Sequence, residues 1–78
     1  MPKKVILYST SWCPWCEKVR EFLKKNKIKF NEKDVEKNKR HTEEAVKKSK
    51  QTGIPVTDVD GKIIVGFNEG KLRKELRI

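Results

Sequence analysis

The chain is poor in the residues on which many familiar chemistries are built. Its 78 residues hold two cysteines, one histidine, one tyrosine and one methionine. No apolar run approaches the roughly 20 residues that a membrane-spanning helix needs. Beyond the single cysteine pair, a monomeric tetrahedral zinc site lacks two more credible ligands. The scarcity of cysteine also excludes the disulfide framework that steadies many small secreted domains, because a bridge between Cys13 and Cys16 closes a loop too short to staple anything. Behind the positive start Met1-Pro2-Lys3-Lys4 stand only the four apolar or aromatic residues Val5 to Tyr8, well short of a signal-peptide core. A cytoplasmic protein with no membrane association is the expectation, and there a lone cysteine pair more often does chemistry. A chain of this length leaves room for one domain, residues 1–78.

Charge is what the sequence has in abundance. A formal net charge of +9 and 40% charged residues invite a nucleic-acid reading, since a basic face neutralises phosphates. The pattern argues against it. Acidic residues are interleaved with the lysines, as in Glu43 with Lys47 and Glu44 with Lys48, both at the i, i+4 spacing of a helix face. Solvated helix surfaces are therefore expected, with electrostatic steering of acidic partners as an intermediate case. A nucleic-acid binder would instead show steeply salt-dependent binding that is indifferent to cysteine oxidation.

Taken in order, Lys3 to Ser9 contains the run Val5-Ile6-Leu7-Tyr8, which suits a central strand covered on both faces. After a polar connection, Trp15, Val19, Phe22 and Leu23 recur at helical spacing, with Glu17, Arg20, Glu21, Lys24 and Lys25 opposite, and the helix should end at Asn26 or Lys27. Ile28 to Val35 alternates and then turns charged, as a half-exposed edge strand does. Asn38 could cap a second helix reaching about Gln51, with Gly53 as a left-handed stop. Val56–Val59 and Lys62–Val65 flank Asp60-Gly61, a two-residue hairpin signal of type I′. A last helix follows, with Asn68 as N-cap, Glu69 in its first turn and Leu72 and Leu76 on one face. The order is β-α-β-α-β-β-α, an α/β fold in which the first β-α-β is a right-handed parallel crossover.

Cys13 and Cys16 sit at the junction of the first strand and first helix. There Cys-x-x-Cys is a redox signature. Unpaired backbone N–H groups at a helix start favour a thiolate, and Pro14 suits the first turn because its missing N–H has no intrahelical partner to lose. Cys13 is thus the candidate nucleophile, expected to be exposed, and Cys16, one turn on, the resolving thiol. Trp12 and Trp15 are expected as a partly exposed contact platform, and His41 as a surface residue. A small metal-binding module or copper chaperone is the competing reading, since soft thiolates suit Cu(I). Against it stand the stiff Pro14-Trp15 loop and an element order unlike the β-α-β-β-α-β of such chaperones.

Three segments carry a resemblance to a known family: Tyr8 to Cys16, Thr52-Gly53-Ile54-Pro55, and Gly66-Phe67. Together they make the chain similar to the small glutaredoxins and thioredoxin-like proteins over nearly its whole length. The resemblance implies a four-stranded mixed sheet of order 2-1-3-4 with helices on both faces, and a cis Ile54-Pro55 bond. It places Pro55 beside the cysteines, Ile54 as a backbone partner for an extended substrate, and Gly66 and Phe67 on the rim. Trp12 resembles the thioredoxin pattern, Pro14 and Trp15 the glutaredoxin one. Many glutaredoxins carry a lysine for a glutathione carboxylate where this chain has Thr10, and a Gly-Gly where it has Gly66-Phe67. The implied activity is that of a thiol-disulfide oxidoreductase, a monomer without a cofactor that acts on protein or low-molecular-weight disulfides. The implied electron donor is a flavin thioredoxin reductase or a small thiol.

Overall fold

Strand β1, Val5–Ser9, is buried along its whole length because both of its faces are covered. Val5 and Leu7 point into one core with Val19, Phe22, Leu23, Leu72 and Leu76, while Ile6 and Tyr8 point into another with Ala45 and Val56. That is why its sequence is a continuous apolar run rather than an alternation. The fold is seen in a computed structural model, in which residues 4–78 are described. The expected strand start at Lys3 lies outside the described residues.

The remaining elements are α1 (Pro14–Lys25), β2 (Asn31–Asp34), α2 (Lys39–Ser49), β3 (Val56–Val59), β4 (Lys62–Val65) and α3 (Glu69–Leu76), in the expected order. The sheet runs β2-β1-β3-β4, with β2 parallel to β1 and the other two pairings antiparallel. Residues of α1 and α3 fill the core on one face, and α2 covers the other through Ala45. The hairpin has the type I′ signature, with positive φ at both Asp60 (49°) and Gly61 (90°). Asn38 and Asn68 cap α2 and α3 by accepting from the backbone N–H groups of Arg40 and Lys71.

Several sequence expectations are corrected. The second strand is shorter than Ile28 to Val35, because Ile28 and Phe30 pack against the α1/α3 core before pairing begins at Asn31. Helix α2 stops at Ser49, and the left-handed residue is Lys50 (φ 58°), not Gly53. Glu44 and Lys48 do not pair along the helix. The Glu44 carboxylate accepts from Lys33 (2.9 Å) and the Tyr8 hydroxyl (2.8 Å), and the Lys48 ammonium donates to Asp58 (2.7 Å) and to the Tyr8 oxygen (2.8 Å). The reason is energetic: an exposed i, i+4 pair is worth about 0.3–0.5 kcal/mol, whereas a buried polar group left unpaired costs about 1–3 kcal/mol. Docking α2 on β1 puts the Tyr8 hydroxyl and Asp58 within reach, and burial raises the Tyr8 pKa, so the phenol stays protonated. His41 is half-buried rather than free on the surface, its Nδ1 lying 3.1 Å from the Asp34 carbonyl oxygen.

Candidate active site

Cys13 occupies the N-cap of α1 in an extended conformation (φ −81°, ψ 115°), and Pro14 opens the helix behind it. Its sulfur accepts a hydrogen bond from the Cys16 backbone N–H at 3.2 Å, as a serine or aspartate oxygen does at other helix starts. This bond turns the side chain back over the first turn. Cys13 is accordingly only 7% exposed, less open than the sequence suggested, and Cys16 is fully buried. Both thiols are free.

Burial, followed by the hydrogen bond with Cys13, pushes the Cys16 thiol up to about 12. It therefore holds its proton at neutral pH. In the reduced protein, iodoacetamide at pH 8 should label one thiol per chain by mass spectrometry, with the second labelled only after unfolding; fast native labelling of both would contradict this geometry. The same shift has a sign for stability. A folded thiol that keeps its proton more tightly than the ordinary value of 9 contributes stability that is full below that pH. The contribution is lost as pH rises through about 12.

Around the thiols, Trp12 and Trp15 are 65% and 56% exposed, as expected of a platform. The Trp12 indole N–H donates to Glu36, and the Lys18 ammonium lies 5.4 Å from the Trp15 ring centre. The Ile54-Pro55 bond is cis, as the resemblance implied. Pro55 is buried, and its carbonyl accepts from the Gly66 N–H at 2.8 Å. A groove of about 560 Å³ opens here, lined by Trp15, Ile54, Pro55, Val65, Gly66, Phe67, Asn68 and Glu69. It brings together five of the residues singled out in the sequence. Trp12, Pro14 and both cysteines stand outside it, and Trp15, which lies between the cysteines in the sequence, is the one residue of the cysteine loop that lines it. Val65, Asn68 and Glu69 are additions. The available signal was adjacency in the chain to Gly66 and Phe67, and Asn68 and Glu69 were legible only as a cap and a first turn.

On the other side of the loop, Glu32 of β2 ties three elements together. Its carboxylate accepts from Arg20 of α1 (2.9 and 3.1 Å from Nε) and from the Ser9 hydroxyl (2.5 Å), and Arg20 holds it below the usual carboxylate range. Arg20 also reaches the Thr10 carbonyl at 3.5 Å, which anchors the start of the cysteine loop. Thr10, where many glutaredoxins carry a lysine, is itself buried. Among the described residues no three His, Cys, Asp or Glu side chains converge as a metal site.

A family model described as Glutaredoxin matches residues 5–64. The chain belongs to the glutaredoxin family. It is 46% identical over 68 residues to an uncharacterized glutaredoxin-like 8.6 kDa protein in a rubredoxin operon of Clostridium pasteurianum, covering 87% of this chain and 91% of that one. Its fold is similar to the crystal structure of a glutaredoxin from Archaeoglobus fulgidus, with TM-score 0.89, 30% identity and coverage of 97% and 88%. It is similar also to that of a thioredoxin-like protein, with TM-score 0.87, 32% identity and coverage of 94% and 100%. A role of the thiol-disulfide oxidoreductase kind follows for this glutaredoxin-family chain, with thiols or disulfides as its redox partners.

Proposed function

We propose that this protein reduces disulfides by dithiol exchange, with Cys13 attacking and Cys16 resolving. The asymmetry of the two thiols carries the reading. Cys13, at the helix start, keeps a 7% opening to solvent and already accepts a hydrogen bond that would stabilise its anion, whereas Cys16 has no opening and holds its proton. In the first step the Cys13 thiolate attacks one sulfur of the substrate disulfide, that S–S bond breaks, and the other sulfur leaves as a thiolate and takes up a proton. In the second, Cys16 loses its proton and attacks the Cys13 sulfur. The 13–16 disulfide forms and the second substrate thiol departs, so two electrons have passed from the protein dithiol to the substrate. Cys16 waits for this step because burial first, and then its hydrogen bond with Cys13, hold its proton in place; forming the mixed disulfide on Cys13 removes the second of these.

The groove beside Trp15 and Pro55 takes the substrate, with the Ile54 backbone offering hydrogen bonds to an extended segment and the tryptophans supplying contact area. Thr10 in place of a lysine removes a partner for a glutathione carboxylate, which supports a flavin reductase over a small thiol as electron donor. A reducing compartment such as the cytoplasm suits this cycle. The test is Cys16→Ser. With a protein disulfide as substrate and no glutathione present, the variant should accumulate a mixed disulfide at Cys13, visible as a mass increment that dithiothreitol removes. Full multiple-turnover activity in that variant would sink the assignment, and tight stoichiometric copper in protein purified under reducing conditions would favour the metal-binding alternative.

A further inference from the structure

The segment between α2 and the Ile54-Pro55 bond is held by a side chain the mechanism does not use. The Gln51 carboxamide folds onto Gly53 two residues on. Its Oε1 accepts from the Gly53 N–H at 2.6 Å, and its Nε2 donates to the Gly53 carbonyl at 2.9 Å. One side chain thereby occupies both backbone groups of Gly53. The second Nε2 hydrogen goes to the Ser49 hydroxyl oxygen at 2.9 Å, and that hydroxyl in turn lies 2.6 Å from the Ala45 carbonyl oxygen and 3.1 Å from that of Gln51. A continuous chain of hydrogen bonds thus runs from the last turn of α2 to the residue before Ile54. Glycine at 53 is what permits it. A Cβ there would stand 2.7 Å from Gln51 Oε1, too close without displacing the amide.

At Ile54 the situation is the reverse. Among the described residues none donates to or accepts from its backbone, and Ile54 lines the groove. Gly53 and Ile54 are consecutive residues, one with its backbone already paired within the protein and one, on the groove, with its backbone open.

We propose that Gln51 is a positioning residue that sets substrate specificity: by clipping Gly53 it holds the neighbouring Ile54 backbone in place to pair with an incoming chain. This rests on the groove being the substrate site. The substrate class that fits is a disulfide flanked by peptide groups, because Ile54 on the groove keeps its backbone N–H and carbonyl open for an extended segment to pair with. A small disulfide with no peptide groups has nothing to pair with at Ile54 and is indifferent to the clip.

The experiment compares wild type, Gln51→Ala, Gly53→Ala and the double variant, with dithiothreitol as reductant. The two substrates are a linear peptide dimer linked by one disulfide and bis(2-hydroxyethyl) disulfide. Each single variant should raise KM for the peptide about threefold to tenfold with kcat nearly unchanged, the range of one modest hydrogen-bonding contact. KM for the small disulfide should stay put. Because both substitutions break the same clip, the double variant should be no worse than either single one, which is the signature of coupled sites. Amide exchange at Gly53 should also accelerate in Gln51→Ala, a readout of the clip that is independent of turnover. Equal effects on both substrates, additive effects, or an unchanged peptide KM in an active wild type would overturn the role of Gln51 alone. A wild type that reduces neither disulfide would remove the functional reading and this role together, even with Gly53 exchange still slowed by Gln51.

Discussion

Cys13→Ser is expected to reduce the rate of disulfide reduction by on the order of a thousandfold or more, the scale of loss when a nucleophile that forms a covalent intermediate is removed. A serine oxygen at the N-cap can still accept the Cys16 N–H, so the helix start should stand. What disappears is the sulfur that forms the mixed disulfide. Cys16 cannot take its place, being fully buried and protonated at neutral pH with its thiol pushed up to about 12. The measurement is steady-state reduction of a peptide disulfide by dithiothreitol above the uncatalysed rate, with the thermal midpoint recorded alongside. Turnover near wild type with an unaltered midpoint would reject Cys13 as the attacking group.

Leu23→Ala is the change expected to weigh most on stability. Leu23 is fully buried on α1 and packs in the core that includes Val5, Leu7, Val19 and Phe22, and its carbonyl accepts from the Ile28 N–H at 2.8 Å where the chain leaves the helix. Truncation in such a core costs about 2–5 kcal/mol, the removed transfer energy plus the cavity left behind. A chain of this size has about 4–12 kcal/mol in total, at 0.05–0.15 kcal/mol per residue. The loss is thus a large fraction of the whole. Urea denaturation should show a lower midpoint with an unchanged slope. A midpoint shift worth less than about 1 kcal/mol would mean that the core closes over the gap.

What the sequence made legible was local. The run Val5 to Tyr8 identified the doubly covered strand, Asp60-Gly61 the hairpin, the spacing from Trp15 to Leu23 the first helix, and Cys13-Pro14 its start. Each of these is decided by residues within a turn or two of one another. The cis bond at Pro55 and the place of Gly66 and Phe67 came through family resemblance, because the groove joins the α1 start, the β3 approach and the end of β4, which are far apart in the chain. What escaped depends on tertiary docking. The partners of Glu44 and Lys48 follow from where the Tyr8 hydroxyl lands beneath α2, and no helical-spacing rule contains that information. The stop at Ser49 follows from the left-handed turn at Lys50, whose N–H closes on the Val46 carbonyl, and a lysine gives no local signal for that conformation. The near closure of Cys13 depends on which way one sulfur points at an N-cap.

The hydrogen bond from the Gly66 N–H to the Pro55 carbonyl joins two of the groove's three walls, leaving the Trp15 side apart. One wall enters β3 and the other leaves β4, and the β3/β4 pairing from Val56 opposite Val65 continues the same zip toward the hairpin. That joined pair of walls has little freedom to part around a guest. It acts as a fixed gauge, and the entropy lost on docking falls on the incoming chain. A disulfide in a pliant segment meets that gauge by bending to it, whereas one in a rigid domain must already have the right contour.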